Sequence, residues 1–98
     1  MKEKLVNIAI QVLPESKTIH PYAIVDRAIK VIEEEGYPYK VCPFETVVEC
    51  TLSQGLDLVG KIHKNCSLGG ADKMMTYIKI QSDFERDVFI QDKMEKYS

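Results

Sequence analysis

Val41-Cys42-Pro43-Phe44-Glu45-Thr46-Val47-Val48-Glu49-Cys50-Thr51-Leu52 is the stretch on which the fold turns. It reads as a short strand, a turn interrupted by proline, and a central strand. Proline has no N–H to give a sheet ladder, so Pro43 ends the first strand, and the β-branched run Thr46-Val47-Val48 opens the second. Glu49 falls inside this otherwise apolar strand. A carboxylate there must face water, a partner or a ligand, because burying it unpaired is too costly.

Outward from this stretch, the chain has 98 residues, of which 45% are hydrophobic, a size and composition suited to one compact domain over residues 1–98. Its formal charge of −2 contains no basic block, which argues against nucleic acid or an anionic membrane as partner. The opening Met1-Lys2-Glu3-Lys4 followed by an apolar run superficially resembles a signal peptide. Asn7 and Gln11 interrupt that run and no small-residue cleavage site follows, so a strand is expected instead. No apolar run approaches the ~20 residues that cross a bilayer, and the expected location is cytoplasmic. Three cysteines, Cys42, Cys50 and Cys66, lack CxxC spacing and are expected to be reduced thiols.

Val6, Ile8, Ile10 and Val12 alternate with Asn7, Ala9, Gln11 and Leu13, the period of a half-buried strand, and Pro14 to Thr18 reads as a turn. Pro21 suits the first turn of a helix running to Glu35, with a core stripe of Ile24, Val25, Ala28, Ile29 and Ile32 and a stop at Gly36. Tyr37 to Val41 leads into an edge strand. Ser53 is the expected cap of a second helix that buries Leu56, Val59, Ile62 and Cys66 and ends at Gly69-Gly70. Lys73 to Gln81 alternates as a fourth strand. Asp83 is expected to cap a final amphipathic helix containing Phe84 and Val88, with Met94 or Tyr97 beyond.

The order β-α-β-β-α-β plus a terminal helix predicts an α+β, ferredoxin-like two-layer sandwich. Right-handed crossovers give an antiparallel sheet in the order 4-1-3-2 with both main helices on one face. Asn7, Ala9, Gln11, Val47, Glu49, Thr51, Met75, Tyr77 and Lys79 then line the open face, a mixture suited to a subunit interface. Since this fold hosts many functions, the chemistry must be sought in sites. The chain has no closely spaced cysteine run for an iron–sulfur cluster and no metal-chaperone CxxC. It lacks an aromatic RNA-binding strand, a phosphate loop with arginine, and a dinucleotide glycine pattern. His63 and Cys66 on one helix, with Cys42 and Cys50 elsewhere, make a weak zinc set, and no metal or cofactor is expected.

At Pro43-Phe44-Glu45-Thr46-Val47-Val48-Glu49 the chain resembles the small thiamine-binding proteins, a family formerly counted as uncharacterised. The resemblance covers most of the chain, taking in the first strand up to Pro14, Tyr22, Gly36 and Thr76-Tyr77-Ile78-Lys79-Ile80. Thr46 and Glu49 match the family's central hairpin, while Glu45 and Cys50 stand where glycines are usual. The resemblance implies a non-catalytic protein that binds thiamine or its hydroxymethylpyrimidine part as a homodimer or homotetramer. It makes Glu49 the charge partner or hydrogen-bond acceptor, Thr46 and Gln11 the orienting polar groups, Phe44 and Tyr77 the stacking surface, and His20 a contact at the sheet end.

Each of these residues also has a structural reading. Glu49 suits an intersubunit ion pair, Thr46 is a good strand residue, Phe44 and Tyr77 make interface anchors, Gln11 pairs with its counterpart in another subunit, and His20 suits a solvated turn. A structural or regulatory oligomer without a small ligand is therefore the alternative function. An enzyme is not expected, for want of a nucleophile–base pair.

Overall fold

The alternating apolar residues of the N-terminal segment form β1 (Leu5–Glu15), and Pro21–Glu35 forms α1 above it. The β2 (Tyr39–Val41) and β3 (Thr46–Thr51) strands make the central hairpin, followed by α2 (Leu52–Leu68), β4 (Lys73–Gln81) and the short α3 (Ile90–Met94). The computed structural model describes residues 3–97, the Lys96 side chain excepted, so Met1, Lys2 and Ser98 of the expected 1–98 domain lie outside the described residues.

All strand pairs are antiparallel and the order is β2-β3-β1-β4, which is the expected 4-1-3-2 read from the other edge. Val48 and Ile80 flank Ile8 in the ladder, and Thr46 and Ile78 flank Ile10, so these side chains share the helix-facing side. Ile8, Ile10, Val12, Val48 and Cys50 meet Ile24, Ala28, Ile32, Leu58, Ile62 and Cys66 there in one hydrophobic cluster. Burial of this apolar surface is the main stabilising term. Because β4 is an edge strand, Ile78 and Ile80 stay partly exposed although they face the helix side.

Both helices are set by local chemistry. Gly36 closes α1 in the left-handed region (φ 80°), where a Cβ would be strained. The second helix starts earlier than expected: Thr51, not Ser53, is the N-cap. Its hydroxyl accepts from Gln54 N–H at 3.2 Å, and Gln54 Oε1 accepts from Thr51 N–H at 2.9 Å, a reciprocal capping box. That start rotates the buried stripe to Gly55, Leu58, Ile62 and Cys66, leaving Leu56 exposed and Val59 half-buried. At Gly55 a Cβ would come within 3.3 Å of Ile8 Cδ1 and 3.4 Å of Cys50 Sγ, so the missing side chain lets α2 lie close on the sheet. On α1, Val31 joins the buried set in place of the half-buried Val25 and Ile29.

Two further differences bear on function. The first strand does not stop before Pro14 but runs to Glu15, paired with β4 throughout. Its other neighbour, β3, reaches only to Ile10, so the side toward which a Pro14 N–H would point has no strand to bond. The C-terminal segment, in turn, is not one long helix. Asp83 Oδ1 accepts from Glu85 N–H at 2.9 Å in a local turn, a side-chain bond that competes with helix formation, and only Ile90–Met94 and a 3₁₀ turn at Glu95–Tyr97 are helical.

Residues 87–90 are instead bonded to the sheet. Leu5 N–H donates to Asp87 Oδ1 at 2.7 Å, Val88 N–H to Leu5 O at 3.0 Å, and Ile90 N–H to Glu49 Oε1 at 2.8 Å. Asn7 Nδ2 donates to Val88 O at 3.0 Å, while its Oδ1 is buried without a hydrogen-bond partner among the described residues. The open face is thus covered by the chain's own C-terminal segment at its Asn7–Glu49 end.

Replacing Glu49 with alanine removes the acceptor of Ile90 N–H. Faster amide exchange at Ile90 and a loss of about 1–2 kcal/mol of stability are expected, as for an unpaired, partly buried donor. Unchanged protection in a hydrogen-exchange measurement would show that the segment is held elsewhere. Burial also pushes the Cys50 and Cys66 thiols upward, so at neutral pH a maleimide should label Cys42 first and the other two only on unfolding. Equal rates at the three positions, followed by peptide mapping, would contradict this packing.

Candidate functional site

The strict alternation of β3 divides the residues that the sequence singles out. Thr46 points to the helix side and is only 5% exposed, whereas Val47 and Glu49 point to the open face. Thr46 and Glu49 therefore lie on opposite faces of one sheet.

Thr46 opens into a cavity between α1, β1 and the β2–β3 turn. The cavity has a volume of about 150 Å³, and Val25, Ala28, Ile29 and Ile32 form its helix wall. Ile10, Gln11 and Val12 of β1 supply the sheet wall, and Val41 to Glu45 supply the rim. Its existence follows from strand length. Beyond the Ile10–Thr46 pair β1 continues while β3 does not, and the chain turns back through Pro43 and Phe44, closed by Cys42 N–H donating to Glu45 O at 2.9 Å. A space remains between the continuing strand and the turn. The Thr46 hydroxyl takes part in no hydrogen bond with the described residues, and it can both donate and accept.

Three of the six sequence-selected residues, Gln11, Phe44 and Thr46, line this cavity. Phe44 is 81% exposed at the tip of the turn. Tyr77 lies opposite Gln11 in the ladder, on the open face and half exposed. Glu49 stands apart: its ladder partner is Asn7, four residues or roughly 13 Å along β1 from Gln11, and one carboxylate oxygen holds Ile90 N–H. His20 is the N-cap of α1; its Nδ1 accepts from Tyr22 N–H at 3.1 Å, and its ring leans on Tyr22 with centroids 5.0 Å apart. The structure thus gives His20 and Glu49 local hydrogen-bonding roles and brings neither to the cavity.

Sequence reasoning missed Glu45, Cys42, Val25 and Ile29 as lining residues. Val25 and Ile29 are one helical turn apart and flank the Ile24–Ala28–Ile32 stripe, so the apolar face of α1 is wider than the sheet beneath it can cover. That excess width was the available signal. Among the described residues, no group of three or more His, Cys, Asp or Glu is arranged to hold a metal ion, and no helix is long and apolar enough to cross a membrane.

Other depressions offer less chemistry. One of about 400 Å³ on the β1–β4 ribbon is lined by Leu13, Pro14, Glu15, Lys73, Met74 and Met75, none of them a buried polar residue. Another, of about 170 Å³, adjoins His63, whose Nε2 lies 2.7 Å from the Thr76 hydroxyl and is thereby already partnered.

The family model described as thiamine-binding protein matches residues 8–98. A UPF0045 protein of Clostridium perfringens (strain 13 / Type A) is 32% identical over 92 residues, covering 93% of this chain and 95% of the relative. A Bacillus cereus structure described as a domain of unknown function, DUF77, superposes with a TM-score of 0.94 at 34% identity, covering 98% of this chain and 92% of that one. A Thermotoga maritima protein assigned provisionally to thiamine biosynthesis or salvage superposes with a TM-score of 0.87 at 26% identity, covering 96% and 99%. Matched along nearly its whole length in both sequence and fold, the chain belongs to the thiamine-binding protein family.

Proposed function

We propose that this protein binds thiamine, or its hydroxymethylpyrimidine part, without transforming it, and that the pyrimidine ring enters the cavity beside Thr46. The observation that carries the reading is the hydroxyl of a residue only 5% exposed, without a hydrogen-bond partner among the described residues, opening into a space of about 150 Å³ with aliphatic walls. An apolar cavity of roughly that volume accepts a single benzene-sized ring. A two-ring ligand does not fit inside it whole. An aminopyrimidine presents ring nitrogens that accept and an exocyclic amine that donates, and a threonine hydroxyl can match either. Val25, Ile29 and Ile32 supply the dry contact around the ring, and the family description supports the choice of ligand.

The same reading includes self-association as a homodimer or homotetramer. Leu13, Met75 and Tyr77 expose large apolar surface on the open face, away from the end covered by the C-terminal segment. A second copy laid on this region would remove that surface from water.

Calorimetric titration with thiamine and with hydroxymethylpyrimidine should give saturable binding of both. Thr46→Val, which keeps the shape and removes the hydroxyl, is expected to weaken both by about five- to tenfold. Glu49→Ala should leave both affinities unchanged. Absence of heat and of any thermal shift at millimolar ligand would overturn the reading, as would a Thr46→Val variant that binds like the parent. For self-association, Met75→Glu should shift sedimentation toward the monomer; a parent protein that is already monomeric would remove that part.

A further inference from the structure

Glu45 is the one carboxylate among the residues lining the cavity, and it is committed to an ion pair. Lys79 Nζ stands 3.1 Å from its Oε1 and 3.3 Å from its Oε2. Glu45 precedes the first residue of β3 and Lys79 belongs to β4, so the pair reaches across β1 on the open face. The residue opposite Lys79 in the ladder is Ala9, which is also opposite Val47. Its methyl group is small enough to leave the crossing clear, whereas the neighbouring positions on that face of β1 are Asn7 and Gln11.

The two partners are held unequally. The Glu45 side chain is 29% exposed at the cavity rim, while the Lys79 side chain is 74% exposed on a long stem. An exposed pair of this kind contributes little net stability, because holding a long side chain costs entropy and water screens the attraction. The lysine is therefore the member that can leave. Since the cavity accommodates one ring, any second ring of a larger ligand must lie at the rim, beside Glu45 and the exposed face of Phe44. Both groups attract cations, the first by charge and the second by its ring quadrupole.

We propose that the Glu45–Lys79 pair is an exchangeable latch that gives the cavity its preference between cationic and neutral ligands. When a ligand carries a positive charge outside the cavity, the Glu45 carboxylate passes from Lys79 to that charge and Lys79 returns to solvent. A neutral single-ring ligand leaves the pair closed. The latch rests on the proposed pyrimidine site, yet its role is separate, because Thr46 sets how tightly the ring is held whereas Glu45 with Lys79 sets which charge is tolerated beyond it.

The test compares thiamine, a cation, with hydroxymethylpyrimidine, kept neutral at mildly alkaline pH, by calorimetry on the full chain. Glu45→Gln should weaken thiamine about two- to fivefold and leave hydroxymethylpyrimidine unchanged. Lys79→Met should strengthen thiamine by a similar about two- to fivefold, again without effect on the neutral ligand, because the carboxylate no longer has a competitor. Melting temperatures of both variants establish that each is folded, and both substitutions lie at exposed or rim positions. An unchanged ratio of the two affinities in both variants overturns the latch while leaving the pyrimidine site intact. Failure of the parent protein to bind either compound overturns the site and the latch together.

Discussion

Beyond Ile10 the first strand has a neighbour on one side only, and much of the rest depends on that inequality. β3 cannot extend because the chain must turn through Pro43 and Phe44, while β1 continues to Glu15 against β4. The outcome is a two-stranded ribbon beyond the four-stranded sheet and a gap beside it, roofed by α1. Layers of secondary structure normally close over their apolar faces. Here the sheet stops short of the helix that covers it, and Val25, Ile29 and Ile32 are left lining a space.

The elongated shape, 46 × 33 × 20 Å, reflects the ribbon. The same feature places the cavity rim within reach of β4, because β1 is the one strand separating Glu45 from Lys79. A rim charge, an aliphatic wall and an unpartnered hydroxyl thus come from different elements, held by ladder geometry and the packing of α1. Rigid supporting elements of this kind favour a preformed site.

The fold was legible because its signals are local and repeat. Alternation in Val6–Val12 and Lys73–Gln81, Pro21 at a helix start and Gly36 at its end each state a backbone requirement that tertiary structure did not override. The C-terminal segment was not legible in the same way. Phe84 and Val88 have helical spacing, but Asp83 and Asp87 spend their carboxylates on backbone N–H groups, and the sheet's first strand offers partners that no local pattern reveals. The early start of α2 was written in Thr51 and Gln54, a capping pair that sits one turn before the apolar stripe. For the site, residue type was informative and direction was not. Thr46 and Glu49 are three apart, an odd separation in a strand, so a pocket containing both side chains on one face was excluded by the pleat. That Phe44 and Thr46 line one space depends on where β3 ends, which composition does not state. Glu45, by contrast, was visible as a departure from the family's glycine, although its ion-pair partner lies two strands away.

Pro14 has one more effect. On the ribbon's free side, a residue with an N–H at this position would present a donor to any passing strand, and a bare strand margin of that kind invites unwanted pairing. Proline withholds the donor where the backbone is least protected while its ring remains buried. The outer margin of β4 carries no such block across Lys73–Gln81. The two sides of this protrusion are therefore chemically unlike: one repels extension by another β-segment, and the other retains the main-chain groups needed to accept it.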